Sequence, residues 1–182
     1  ATSKNPEIRS KIRDLVNAKP SISKQKILAQ YWSQENSDGD ASRGKLIFQK
    51  NCATCHRLGQ VGHDVGQNLY SAIPGKTYRD LLEAIMDPNK EIDNKYVNYL
   101  LTTIDGKVVS GIIVSDTPSS LTLRRAEGIE EIIARTDIES LKSTGMSLMP
   151  EGFEKTIPPK DMPDLIAFLR AAVKTPAATP KK

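Results

Sequence analysis

The chain has 182 residues, is 38% hydrophobic and 26% charged, and carries a formal net charge of +4. This composition reads as that of a soluble, globular chain, and no run of about 18 apolar residues is present to predict a membrane-spanning helix. The basic residues form no compact block with interleaved aromatics, which argues against nucleic acid and suits docking to an acidic protein partner. With three Phe, five Tyr and one Trp, few large side chains are available to nucleate a core, and a bound planar cofactor can fill that role.

The opening "ATSKNPEIRS" has no apolar leader, which fits a processed chain or a segment of a longer one. Ile8, Ile12, Leu15 and Val16, then Ile27, Leu28, Tyr31 and Trp32, recur at helical spacing on either side of Pro20. They predict two short amphipathic helices. Residues 1–35 therefore read as a helical extension, or as a linker from a preceding domain, and "SQENSDGDAS" as a polar linker. A third helix is predicted from Asp40 or Ser42, either a competent N-cap, through "RGKLIFQKN" into two cysteines. Gly44 inside it costs about 1 kcal/mol relative to Ala, which a helix tolerates where another helix passes close.

A glycine-rich loop, "LGQVGHDVGQNLYSAIPGK", precedes a helix over "TYRDLLEAIMDPNKEI" with Leu81, Leu82, Ile85 and Met86 on one face and Pro88 at its end. From Tyr96 the composition turns β-branched. Strands are predicted near 96–103, 107–114, 120–125 and 129–134, with Asp105-Gly106 as a hairpin turn, giving a small antiparallel meander or barrel. An irregular loop, "STGMSLMPEGFEKTIPP", leads to a last helix, "KDMPDLIAFLRAAV", with Leu165, Ile166, Phe168 and Leu169 buried. The tail from Thr175 reads as disordered. The predicted organisation is 1–35 extension, 36–95 with 141–174 as the main domain, 96–140 as an inserted β module, and 175–182 as tail.

The chemistry concentrates in "KNCATCHRLG", which holds both cysteines, Cys52 and Cys55, and His56. A redox dithiol needs C-x-x-C at a helix start in a βαβ setting, whereas here a helix leads into it. Structural zinc needs four ligands, and only His63 is left to join. Covalent haem needs two thiols for the porphyrin vinyl groups and an imidazole on the same turn, which C-x-x-C-H supplies. A haem iron held by His56 then needs a sixth ligand or an open site. Met149, placed before Pro150 in a polar loop, is favoured over Met146 and His63.

Together with Gly44 and Phe48, "CATCH" at 52–56, "GQNL" at 66–69, "SLMPEG" at 147–152 and "DLIAFL" at 164–169, the chain resembles a class I c-type cytochrome over roughly residues 40–95 and 141–173. More closely, it resembles the haem-binding domain of the Pirellula/Verrucomicrobium type, found in planctomycetes and their relatives. That resemblance rests on "RGKLIFQKNCATCH", "IMDPNKEI", the inserted strands with their "DG" turn, and "SLMPEGF" before "DLIAFL", about residues 40–172. It implies a mainly α cytochrome c fold with an inserted small antiparallel β module, α+β overall. It implies one haem c joined to Cys52 and Cys55, iron ligands His56 and Met149, and further cofactor contacts from Leu69 and Phe48. Gly44 and Phe48 are expected to pack against Leu165 and Phe168 where the first and last helices of the fold cross. Gln67 stands where the family has proline, and its carbonyl is expected to accept a hydrogen bond from His56.

The function expected is electron transfer rather than catalysis, in a free carrier or as the electron-transfer domain of a larger enzyme, with protein redox partners. The edge beside Cys52 and Cys55, with Lys45, Lys50 and Arg57 nearby, is the expected exit for the electron, and the periplasm or an equivalent exported space the expected compartment. Two rival readings are a gas or redox sensor with a displaceable Met149, and a peroxidase-like enzyme domain.

Overall fold

A computed structural model describes residues 22–174. The helix expected around Ile8–Val16 and the tail from Thr175 lie outside the described residues. Helix α1 (Ile22–Trp32) is followed by α2 (Ala41–Asn51), the short α3 (Leu69–Ala72) and α4 (Tyr78–Met86). Five strands come next: β1 (Val97–Thr103), β2 (Val108–Asp116), β3 (Ser120–Arg124), β4 (Glu130–Ala134) and β5 (Ile138–Ser147). Helix α5 (Met162–Lys174) closes the fold, which is α+β.

Helix α2 starts where its first amides find a partner. The Asp40 carboxylate accepts from the Ser42 and Arg43 N–H groups at 2.7 and 3.1 Å. Helix α4 starts on a reciprocal cap between Thr77 and Asp80 and stops at Met86, two residues before Pro88. Gly44 marks the crossing of α2 and α5: a Cβ there would lie 1.9 Å from the Asp164 carbonyl oxygen and 2.8 Å from Phe168 Cβ. The glycine's cost is thus offset by the approach it permits. The rings of Phe48 and Phe168 pack beside it, 5.3 Å between centroids. The expected linker is not free of structure, because Gly39 also lies against α5, where a Cβ would meet the Pro163 carbonyl at 2.2 Å.

The strands form one antiparallel sheet in the order β4-β3-β2-β1-β5. Three residues, Arg135–Asp137, join β4 to β5, yet these two are the outer strands. The sheet must curl until its edges meet at that end, giving a barrel-like module. The fifth strand takes in residues through Ser147 that the sequence presents as the start of an irregular loop. It is an edge strand with few apolar residues, "IESLKSTGMS", so its period-two signal is weak.

The described residues form two apolar cores. Leu28, Tyr31, Phe48, Leu82, Ile157, Met162 and Leu165 belong to the helical one, and Leu101, Val109, Leu121, Leu123 and Ile133 to that of the strands. Helix α1 is part of the first: the buried Tyr31 hydroxyl donates to the Ile157 carbonyl at 2.6 Å. Among the described residues no helix is long and apolar enough to cross a membrane.

Candidate functional site

Helix α2 ends at Asn51 with Cys52 as its cap, and the chain turns tightly: the His56 N–H donates to the Cys52 carbonyl at 2.9 Å. This puts both cysteines and the histidine on consecutive turns after one rigid helix. The glycine-rich loop then folds back over them, with the Val65 and Gly66 N–H groups donating to the Cys55 carbonyl at 3.0 and 2.7 Å. Gly66 must be glycine for this wrap, because a Cβ would sit 2.5 Å from His56 Cε1. The hydrogen bond expected at Gln67 is present, with His56 Nδ1 3.1 Å from the Gln67 carbonyl oxygen. We assign the proton to Nδ1, which leaves Nε2 as the lone-pair nitrogen. Burial lowers the imidazole's pKa against the opposing effect of that carbonyl, so the ring is neutral near pH 7.

A largely apolar cleft of about 280 Å³ opens here, lined by Cys52, Cys55, His56, Leu148, Met149 and Phe153 among others. Met149 enters from the loop after β5, whereas Met146 is exposed on β5 itself. His63 is exposed and does not line the cleft. Phe48 is fully buried in the helical core against Phe168, and Leu69 packs on the same core. Neither is among the residues lining the cleft.

Both cysteines are free thiols. Burial pushes the Cys52 thiol up to about 12 and raises that of Cys55 as well. A redox dithiol needs the opposite, a thiol whose pKa is lowered to give thiolate. Among the described residues no three His, Cys, Asp or Glu side chains gather as a metal-ion donor set, which disfavours the zinc reading on geometry. The sequence profile of the cytochrome c family matches residues 41–172. This chain belongs to the cytochrome c family. It is also 30% identical over 74 residues to a cytochrome c-553-like protein of Synechocystis sp., an overlap covering 35% of this chain and 70% of that one.

Membership of the cytochrome c family makes this a haem electron-carrier domain, implies covalently bound haem c, and points to electron transfer rather than catalysis. Domains of this family are generally exported. The residues in the cleft fit the group: two thiols without a disulfide, an imidazole oriented by Gln67, and a thioether in the same largely apolar cleft.

Two contributors are silent in the sequence. Asn89, in "IMDPNKEI", holds the methionine loop at two points. Its Oδ1 accepts from the Ser147 N–H at 2.8 Å and its Nδ2 donates to Glu151 Oε1 at 2.9 Å. Within the loop the Met149 N–H donates to Ser147 Oγ at 3.1 Å. The other is Ala126, on the turn between β3 and β4, which lines the cleft. The only sequence signal for either was position: a polar residue just past a helix-ending proline, and a small residue in a turn.

Proposed function

We propose that the chain is a single-haem c-type cytochrome carrying one electron at a time, its haem joined to Cys52 and Cys55 and its iron held by His56 and Met149. The observation that carries this reading is the arrival of Met149, but not Met146, in the cleft that holds His56 and both thiols. One C-x-x-C-H segment and two cysteines in the whole chain support a single haem. The blocks shared with the Pirellula/Verrucomicrobium type support a place in that group, with the class I arrangement of crossing helices.

The bound haem supplies one-electron exchange between Fe(III) and Fe(II). The protein's own residues do the rest. Gln67 fixes the plane and tautomer of His56 and makes it a better donor. Met149 contributes a soft thioether, which favours the reduced state. Leu148 and Phe153 keep the cleft apolar and exclude water. His56 and Met149 would both hold the iron and leave it no open position for a substrate, which disfavours the peroxidase reading. The sensor reading would need Met149 to be displaced, against the Asn89 and Ser147 hydrogen bonds that hold its loop. Protein redox partners, an acidic docking face among them, match the exposed Lys45 and Lys50, and an exported compartment such as the periplasm matches covalent haem attachment. A longer multidomain protein containing this domain fits the same reading.

Optical spectra of the oxidised holoprotein test it. The expected result is a low-spin spectrum with the long-wavelength sulfur-to-iron charge-transfer band, lost in Met149→Ala and kept in Met146→Ala. A high-spin spectrum that shifts with CO in the unmutated protein would contradict it.

A further inference from the structure

The turn between β3 and β4 lies against the segment that carries both cysteines. Ala126 lines the cleft. The Glu127 N–H donates to the carbonyl of Thr54, the residue just before Cys55, at 2.7 Å. At the foot of the same hairpin, Arg124 Nη1 donates to the Asp64 carbonyl at 3.2 Å, on the loop that wraps His56. Two hydrogen bonds from one hairpin thus grip both pieces of backbone that frame the attachment site.

The backbone of the turn points the same way. Glu127 has φ +64°, and among the described residues it is the only non-glycine in the left-handed region. A side chain disfavours that conformation, so it persists where surrounding contacts hold it. Here it aims the Glu127 amide at Thr54. The β module has its own apolar core, and the turn is the part of it that reaches the cleft.

We infer that the β module is a cover for the cysteine side of the cleft: Ala126 forms part of the wall, and Glu127 is the positioning residue that latches the turn down. This rests on the haem reading of the cleft. Covering that side keeps water and small reagents from the bound group, and solvent exclusion is one of the levers that raise a haem's potential. A redox partner approaching from the cysteine side meets the module before it meets the cofactor. The exit beside Cys52 and Cys55 expected from the sequence is then not a bare edge.

The test compares wild type, Glu127→Pro and Glu127→Gly as haem-loaded proteins. Proline removes the donor and cannot adopt the positive φ, whereas glycine keeps the donor and accepts it. In stopped-flow reduction by ascorbate, which donates the electron that converts Fe(III) to Fe(II), Glu127→Pro should react several-fold faster than wild type. Its potential should fall while its far-UV circular dichroism is unchanged, and Glu127→Gly should restore the wild-type rate and potential. An unchanged rate and potential in a folded Glu127→Pro overturns the proposal. Hydrogen exchange of the wild-type Glu127 amide decides the latch even if that variant does not fold: protection supports it, and exchange as fast as in an unstructured peptide overturns it. Absence of haem from the wild type would instead refute the haem reading, while the exchange result would still report on the latch.

Discussion

Asp164 shows how much one residue at the helix crossing holds. It is buried at the first turn of α5, a place where a carboxylate also gains from the helix dipole. The structure turns its carboxylate across to α2. There Oδ1 accepts from the Asp40 N–H at 2.7 Å and from Arg43 Nη2 at 2.9 Å, and Oδ2 accepts from Arg43 Nε at 2.6 Å. Asp164→Ala should cost about 2 kcal/mol, the scale of hydrogen bonds to a charged group, read as a lowered Tm. The Arg43 hydrogen bond chiefly holds the carboxyl below its ordinary range. A depressed carboxyl stabilises the fold fully above its unfolded value of about 3.9 and loses that contribution as pH falls through the folded value. Asp164→Asn should therefore flatten the acid limb of the Tm–pH curve, and an unaltered limb would count against the pair's role. Gly44→Ala should be worse than the usual overpacking cost of about 1–3 kcal/mol, because the obstacle is the Asp164 carbonyl rather than a side chain that can move. Chemical denaturation of the two proteins measures it. Gly44 was legible as a costly residue with a reason to be there. Asp164 was not, since nothing local says which charged residue in a first turn will be buried.

At the scale of elements, the methionine loop depends on an element distant in sequence. Asn89 anchors residues on both sides of Met149, and Lys24 of α1 adds a bond to Glu151 at 3.3 Å and one to Asp87 at 2.6 Å. Asn89→Ala removes two hydrogen bonds, each worth about 1 kcal/mol. It should weaken the sulfur-to-iron band of the oxidised protein and let CO compete at the reduced iron, with the fold intact by circular dichroism. A band of wild-type strength would show that the loop holds its methionine without Asn89. Helices α1, α2, α4 and α5 were legible because their apolar stripes and caps are local, whereas the single turn of α3 lies inside what the sequence presents as a glycine-rich loop and has no stripe to betray it. The first four strands were legible from β-branched runs and the Asp105-Gly106 turn. Strand β5 was not, because an edge strand that borrows its partner from β1 needs little apolar periodicity of its own. The bridge made by Asn89 is likewise a tertiary fact: its partners lie about 60 residues away.

Among the described residues, two cores meet at the cleft that holds His56. The helical core supplies the rigid end of α2, the loop that orients His56 and, through α1 and α4, the support of the methionine loop. The strand core begins just after α4, ends at the methionine loop, and returns to the cysteines through the β3–β4 turn. The gathering of Cys52, Cys55, His56 and Met149 at one cleft was legible because their chemistry is carried by residue type and spacing. The atoms that bring the module to the cleft were not, because the contact runs through the backbone of Glu127 and Thr54, which any residue but proline would supply. The proposed function stands on one haem being bound covalently in this cleft through Cys52 and Cys55. Intact-mass measurement under denaturing conditions, after expression with a cytochrome c maturation system, tests it most directly. The expected mass is that of the polypeptide plus one haem, with both thiols closed to alkylation and the added mass gone in the Cys52→Ser, Cys55→Ser double variant. The bare polypeptide mass, with both thiols open to alkylation, would contradict it.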